Sequence, residues 1–342
     1  VSEKRHAMLL DGQDPQAIAQ AAQALAAGEL LALPTETVYG LGARADADAA
    51  VAKIFAAKGR PADHPLIVHV LDAADAARFA AELPPVALAL MAAFWPGPLT
   101  VIVKRAPGMG AAAAGGQDSI GLRSPAHPVA RALLAAARAL GVNGVAAPSA
   151  NRFGRVSPTL ARHVLDEFEP GLLVLDGGEC EVGIESSIVD CSREHPVLLR
   201  PGVLTPAEIE AVMGQPLWAP DAAAPRASGT LAAHYAPAAT VRLLDPAALQ
   251  KGLEARSPQA RAGLAVYSRT LLAPTSSVAQ GLLWRKMPED ARAAAHELFA
   301  VLRDLDAAGA GEIWIELPPA GAAWDGVRDR LSRAAAAFQA VP

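Results

Sequence analysis

The chain has 342 residues, 52% of them hydrophobic and only 4% aromatic, with a formal net charge of −5. That length exceeds what one core usually organises, so two domains are expected, with cores built on Leu, Val, Ile and Ala. The acidic balance argues against a protein dedicated to nucleic acid, although a local basic cleft stays open because net charge averages over the surface. Two cysteines, Cys180 and Cys191, make no disulfide framework, and no CxxC or Cys/His cluster marks zinc; reduced thiols are the reading adopted. No strongly apolar run of membrane-spanning length occurs, and the opening VSEKRHAMLLDGQ lacks the apolar region of a secretory signal. A soluble, cytoplasmic protein is expected.

In chain order, Asp14-Pro15 reads as an N-cap followed by proline at the first helical position, and the helix runs to Gly28. Residues 29–33 form a short buried strand halted by Pro34. Asp46 opens a second helix whose Val51, Ile54 and Phe55 share a face, and Gly59 ends it. Further strands are expected over 66–70, 99–103, 120–123, 145–147, 172–175, 188–191 and 197–199, with helices near 126–140, 158–168 and 205–213. The last opens on Thr205-Pro206 with Glu208 at the capping-box position. Over 214–239 no period of either kind survives, which marks a linker or a lid. Alternation then resumes: strand 240–244, helix 246–255, strand 263–267, helix 288–308, strand 312–317, helix 325–339. The tail is thus a second, smaller α/β unit.

Chemistry-bearing residues gather in five places. PTETVYGLG (34–42) follows a strand, with Thr35 and Thr37 offering hydroxyls and Gly40 and Gly42 allowing close approach. It is either a ligand site or a turn with capping hydroxyls. AKGRPADHPLIVH (57–69) is the stronger cluster, packing Lys58, Arg60, His64 and His69 around two prolines. Lys58 at a helix C-terminus has a structural explanation in the helix dipole, but the four groups together favour a phosphate or carboxylate. SIGLRSPAHP (119–128) brings Ser119 and Arg123 on a short strand. APSANRFGRVSP (147–158) places Ser149, Asn151 and Ser157 after a buried strand, as an Asx or Ser turn or as a phosphate contact. DGGECEVGIESSIVD (176–190) with VLLRPG (197–202) combines a glycine-rich loop, Ser186, Ser187 and Arg200, where an anion-binding nest and a plain hairpin are even alternatives. The chain has no P-loop, no Rossmann glycine fingerprint, no GxSxG elbow and no HExxH.

Read in order, PTETVYGLG, Lys58-Gly59-Arg60-Pro61, HPLIVHV, WPGPLT at 95–100, the strand holding Arg123, PSAN at 148–151, GIESSIVD and LLRPG resemble the threonylcarbamoyl-AMP synthase (YrdC-like) family. The likeness covers about residues 10–214. The tail resembles the family's longer form, in which a linker ending in His-Tyr-Ala-Pro, here His234 to Pro237, precedes a small Rossmann-like domain. That linker tends to read Pro-Gly-Met before this motif; here it reads Ala-Ser-Gly-Thr-Leu. The resemblance implies an α/β fold: a YrdC-like twisted mixed sheet with flanking helices over 10–214, a linker or lid over 215–239, and a Rossmann-like unit over 240–342.

The resemblance further implies an enzyme that joins L-threonine, bicarbonate and ATP into threonylcarbamoyl-AMP and pyrophosphate, for modification of adenosine 37 in tRNA. Thr37, His69, Arg123, Ala147 and Ser186 would hold threonine. Lys58 and Arg60 would be catalytic. Arg60, His64, Ser119, Ser149, Asn151, Ser157 and Arg200 would line the ATP side, with Tyr235 covering the nucleotide. Mg2+ would come with the triphosphate, with no metal held by protein side chains. Partners would be the downstream transferase that acts on tRNA, with little or no direct binding of nucleic acid and no membrane. The rival reading is an RNA-binding or ribosome-maturation factor using the same cleft, marked by steep salt dependence and no need for threonine. His163, His195 and His296 have no assigned role, and solvent-exposed positions are expected for them.

Overall fold

The computed structural model describes residues 8–257, 259–273 and 281–338. The first seven residues of the N-terminal segment, and the end of the helix expected over 325–339, lie outside them. The chain divides into two compact units. The first runs through Phe153 and takes in Ser157–Thr230; the second holds Gly154–Val156 and resumes at Leu231.

In the first unit the strands are β1 (Met8–Asp11), β2 (Leu31–Leu33), β3 (Gly40–Arg44), β4 (Ile67–His69), β5 (Leu99–Lys104), β6 (Ser119–Arg123), β7 (Val145–Ala146), β8 (Leu173–Asp176), β9 (Ser187–Asp190) and β10 (Val197–Arg200). Its helices are α1 (Pro15–Ala26), α2 (Asp48–Lys58), α3 (Ala73–Phe79), α4 (Pro85–Phe94), α5 (Pro128–Ala139), α6 (Ala161–Leu165) and α7 (Pro206–Met213). The strands form one mixed sheet in the order β1-β8-β2-β3-β7-β4-β6-β5-β9-β10. Neighbouring residues of one strand serve opposite faces, as the pleat requires. Leu31 and Leu33 pack with α1 and α5 through Ala21, Leu25, Leu133 and Leu134, while Ala32 joins Ile54, Phe79, Leu90 and Val164 on the other side. Helices therefore cover both faces, and buried Leu, Val, Ile and Ala carry the core.

Several elements follow from local chemistry. Asp14 caps α1 by accepting from the Gln16 N–H, with Pro15 in the first turn. Thr205 and Glu208 complete the capping box of α7. α2 ends on Gly59 at φ 63°, a left-handed conformation that glycine adopts without strain, and this turn delivers Arg60. Four elements of this unit go beyond the expected pattern: β1, β3, α3 and α4. β3 is the informative one, because 40–44 lies within what reads as a glycine-punctuated turn. It pairs antiparallel with β2, and a Cβ on Gly42 would stand 2.9 Å from the Leu33 side chain and 3.0 Å from that of Val145. Glycine is there to let neighbouring side chains close over the strand.

The second unit has strands β11 (Thr240–Leu244), β12 (Leu264–Ser268), β13 (Leu283–Lys286) and β14 (Glu312–Glu316), with helices α8 (Pro246–Ala255), α9 (Ala291–Ala307) and α10 (Asp325–Ala336). Its sheet is wholly parallel in the order β11-β14-β12-β13. Of these strands β13 goes beyond the expected pattern. The architecture is the expected one: a large mixed α/β sheet and a smaller parallel α/β unit. No helix among the described residues is long and apolar enough to cross a membrane.

Candidate active site

The site residues of the first unit stand at the ends of β4, β6, β9 and β10, in the turns after β2 and β7, and at and after the end of α2. β4 and β6 run parallel with His69 beside Arg123. Arg123, almost wholly buried, is held by three groups. Its Nη1 donates to Thr37 Oγ1 at 2.8 Å, its Nε to the Gly97 carbonyl at 3.2 Å, and its Nη2 lies 2.7 Å from Glu36 Oε1. Glu36 in turn accepts the Ala126 N–H at 3.0 Å. Thr35 takes the turn role, donating to the Val38 carbonyl and accepting from the Thr37 and Val38 N–H groups. Thr37 is the hydroxyl directed to Arg123. Burial, then the Arg123 charge, pushes His69 down to about 3, so its imidazole is neutral at ordinary pH. Ala147 follows β7 and is fixed through its N–H to the Ile67 carbonyl at 3.0 Å.

A second group surrounds Lys58 at the end of α2. Its ammonium donates to the Ser149 carbonyl at 2.6 Å and to the Asn151 carbonyl. Burial, with the Arg60 charge second, lowers its pKa well below the usual lysine value. The side-chain amide of Asn151 donates to the Arg152 carbonyl at 2.7 Å. Arg60 donates to the Pro65 carbonyl at 2.9 Å and sits 5.8 Å from the centre of the Phe153 ring, against which His64 is tilted at 5.5 Å. Burial and then Arg60 also lower the His64 pKa. Desolvated cations beside backbone carbonyls are the setting for an incoming polyanion.

A third group joins β9 and β10. Arg200 donates from Nη2 to the Ser186 carbonyl at 2.8 Å and to its Oγ at 3.2 Å, and Ser186 Oγ lies 2.8 Å from Thr100 Oγ1. Ser157 donates to Glu185 Oε1 at 2.5 Å. Ser119 lines a cleft with Ile67, Thr100, Gly121 and Ile188, which the chain covers with Arg226, Ala227 and Ser228. That cover is fastened: Arg226 reaches Asp63 at 3.1 Å, exchanges bonds with Gln117, and Arg200 Nη1 donates to the Ser228 carbonyl at 2.8 Å. About 10 Å³ remains beneath it, less than any substrate needs.

Thirteen of the fourteen expected site residues lie in the first unit. Tyr235 belongs to the second, at φ 62°, with its ring 5.3 Å from that of Phe299 and the Arg330 guanidinium 5.6 Å from its centre. Motif reading passes over Glu36, Glu185 and Arg226. Glu36 sits inside PTETVYG between Thr35 and Thr37, and that position is the available signal. Among the described residues no cluster of three His, Cys, Asp or Glu side chains is placed to hold a metal. Cys180 and Cys191 are buried free thiols, both with pKa pushed up by burial, Cys191 to about 12. Against the expectation of an exposed position, His163 is buried, where it accepts the Thr159 N–H at 3.3 Å; His195 stacks on Trp218.

Buried arginines and hydroxyls at strand ends and turns, with a buried lysine at the end of α2, are the kinds of group with which an α/β enzyme handles anionic substrates. The family model described as Telomere recombination (Sua5, YciO and YrdC) matches residues 23–202, and that described as Threonylcarbamoyl-AMP synthase, C-terminal domain, matches residues 204–336. A threonylcarbamoyl-AMP synthase of Pyrococcus abyssi is 42% identical over 64% of this chain and 65% of its own length. One of Bacillus subtilis is 42% identical over 69% of this chain and 68% of its own. The matched region thus spans just under two-thirds of the first relative and just over two-thirds of the second. The crystal structure of P. abyssi Sua5 complexed with L-threonine is similar with a TM-score of 0.84 and 33% identity over 97% of each chain. The chain belongs to the threonylcarbamoyl-AMP synthase family, in its two-domain form.

Proposed function

We infer that this chain is an L-threonylcarbamoyladenylate synthase, a nucleotidyltransferase that makes threonylcarbamoyl-AMP and pyrophosphate from L-threonine, bicarbonate and ATP. The observation that carries this reading is the buried group of Thr37, Arg123, His69 and Ser186 beside the cationic group of Lys58 and Arg60, in a chain of this family. The product serves modification of tRNA adenosine 37 through a downstream transferase, and the cytoplasm is the proposed compartment.

Bicarbonate takes up a proton and loses water to give carbon dioxide, which threonine's neutral amine attacks, shedding one N–H proton to leave a carbamate that decays in water. The carbamate oxygen then attacks the α-phosphorus of ATP and pyrophosphate leaves. Covalent help from protein is not needed; position and charge do the work. Arg123, pre-aimed by Glu36, Thr37 and the Gly97 carbonyl, takes the threonine carboxylate. Neutral His69 offers a hydrogen bond without adding charge, and Ser186 and the Ala147 backbone complete that side. Arg60 meets the phosphates along with His64, Ser119, Ser149, Asn151, Ser157 and Arg200. Lys58 commits two of its three donors to the 149–151 turn, so it fixes that turn and keeps one donor for phosphate oxygen. Tyr235 is assigned to cover the nucleotide and limit water. Mg2+ is proposed to arrive on the triphosphate, where it would screen phosphate charge.

An RNA-binding use of the cleft is disfavoured, because Arg60, Arg123 and Arg200 are each at most 8% exposed and cannot track an external phosphate backbone. The test is Arg60→Ala in a threonine- and bicarbonate-dependent pyrophosphate-release assay. The variant should fold and lose turnover by about 10²-fold or more, as removal of a transition-state charge partner does. Near-normal turnover by the folded variant would count against the assignment.

A further inference from the structure

A separate groove of about 460 Å³ opens between α4 and the first turns of α5. Leu71, Leu88, Met91, Trp95 and Pro96 make its walls apolar, and Arg131 supplies a guanidinium. It shares no lining residue with the cleft under 226–228. Its volume lies in the roughly 300–1,000 Å³ range of small-molecule sites, which combine apolar walls with a few placed polar groups. Leu88 is left 45% exposed here, an apolar side chain with no covering in the fold.

The polar side of the groove is only partly used. Arg131 donates through Nη1 alone: to the Leu71 carbonyl at 3.3 Å, to Ser124 Oγ at 3.2 Å and to the Pro125 carbonyl at 3.5 Å. Among the described residues its Nε and Nη2 donate to nothing. Those two nitrogens form the side of the guanidinium that takes a carboxylate through parallel hydrogen bonds. The other charged group in the lining, Asp72, is occupied. Its Oδ1 caps the Ala74 and Asp75 N–H groups and its Oδ2 faces Arg138 at 3.0 Å. The groove therefore sets a guanidinium with two unused nitrogens, among the described residues, against an apolar wall, which matches a single negative charge on an apolar body.

We propose that this groove binds a small monocarboxylate with an unbranched apolar tail, its carboxylate on Nε and Nη2 of Arg131 and its tail over Met91 and Trp95. Calorimetric titration of the full chain with hexanoate tests this, with hexanamide and 1-hexanol as uncharged controls. Hexanoate should bind saturably at one site, with both controls weaker by about tenfold or more. Arg131→Met should weaken hexanoate by a similar factor, and Arg131→Lys, which keeps the charge but not the fork, should fall between. Because Arg131 also ties α5 to two loops, Ala92→Trp provides a second variant. It fills the groove from an exposed position of α4, leaves the Arg131 contacts in place, and should abolish binding. Absence of saturable binding at millimolar hexanoate overturns the proposal. So does binding of 1-hexanol as tightly as hexanoate, or hexanoate affinity unchanged by Ala92→Trp.

Discussion

Arg123 is held by three groups before any substrate arrives, and Glu36 is the charged one among them, leaving two of its five N–H donors outside these contacts. A buried carboxylate facing a buried guanidinium fixes the orientation of the latter, and removing one partner strands the other. Arg123→Ala should therefore cost about 3–5 kcal/mol of stability as well as activity. Pairing Arg123→Met with Glu36→Gln should recover most of the stability with activity still absent, as urea unfolding and turnover measured together would show. A double variant as unstable as Arg123→Ala would mean that the pair is not coupled. His69 makes a second prediction. Its folded pKa, about 3, lies below the ordinary 6.5, so between these values the unfolded chain binds the extra proton. Stability should fall as pH drops from 6.5 toward 3 and be indifferent to His69 above that window, by an amount on the order of a few kcal/mol. His69→Gln should flatten that part of the urea-midpoint profile; an unchanged slope would contradict the burial-driven shift. Residue types and spacing make Thr37, Arg123 and His69 visible in the sequence. They do not reveal Glu36 or Glu185 as partners, because a carboxylate that neutralises a buried cation has no local signature and is identified only by what folds against it.

At the scale of elements, the cover over the cleft has one buried fastening, from Arg200 to the Ser228 carbonyl, and one surface ion pair. Arg226 is half exposed, and its pair with Asp63 belongs to the class worth about 0–1 kcal/mol. Arg226→Ala should leave thermal stability nearly unchanged while speeding amide exchange over 226–230, read by mass spectrometry. Unchanged exchange there would show that the fastening lies elsewhere. Sequence periodicity finds α1, α2, α5 and α7 because each carries a cap or an apolar face. It passes over α3 and α4, where Ala-rich runs weaken the period, although Asp72 and Pro85 do mark their starts. β3 is hidden for a different reason: Gly40 and Gly42 have low intrinsic strand preference, and the strand exists because β2 and β7 flank it. The segment 214–239 carries no period, and the fold assigns 215–230 to the first unit and 231 onward to the second.

For the molecule as a whole, two α/β units are legible from the alternation of strands and helices, but the place where each ends is not. Three residues of the early chain, Gly154–Val156, belong with the second unit. The Gly154 carbonyl accepts the Ala236 N–H, Arg155 lies 3.9 Å from Asp306, and Arg303 reaches the Val156 carbonyl. Pairings across such separations leave no trace in a local pattern. The net charge of −5 likewise says nothing of where single charges sit: Arg60, Arg123 and Arg200 are buried, and so are Glu36 and Glu185. Charge and positioning, rather than a nucleophile or a resident metal, are the basis of the proposed chemistry. The most direct test is pyrophosphate release by the full chain with ATP, L-threonine and bicarbonate each withheld in turn. Release that requires all three, with threonylcarbamoyl-AMP formed in equal amount, is the predicted result; release that proceeds equally well without threonine would contradict the account.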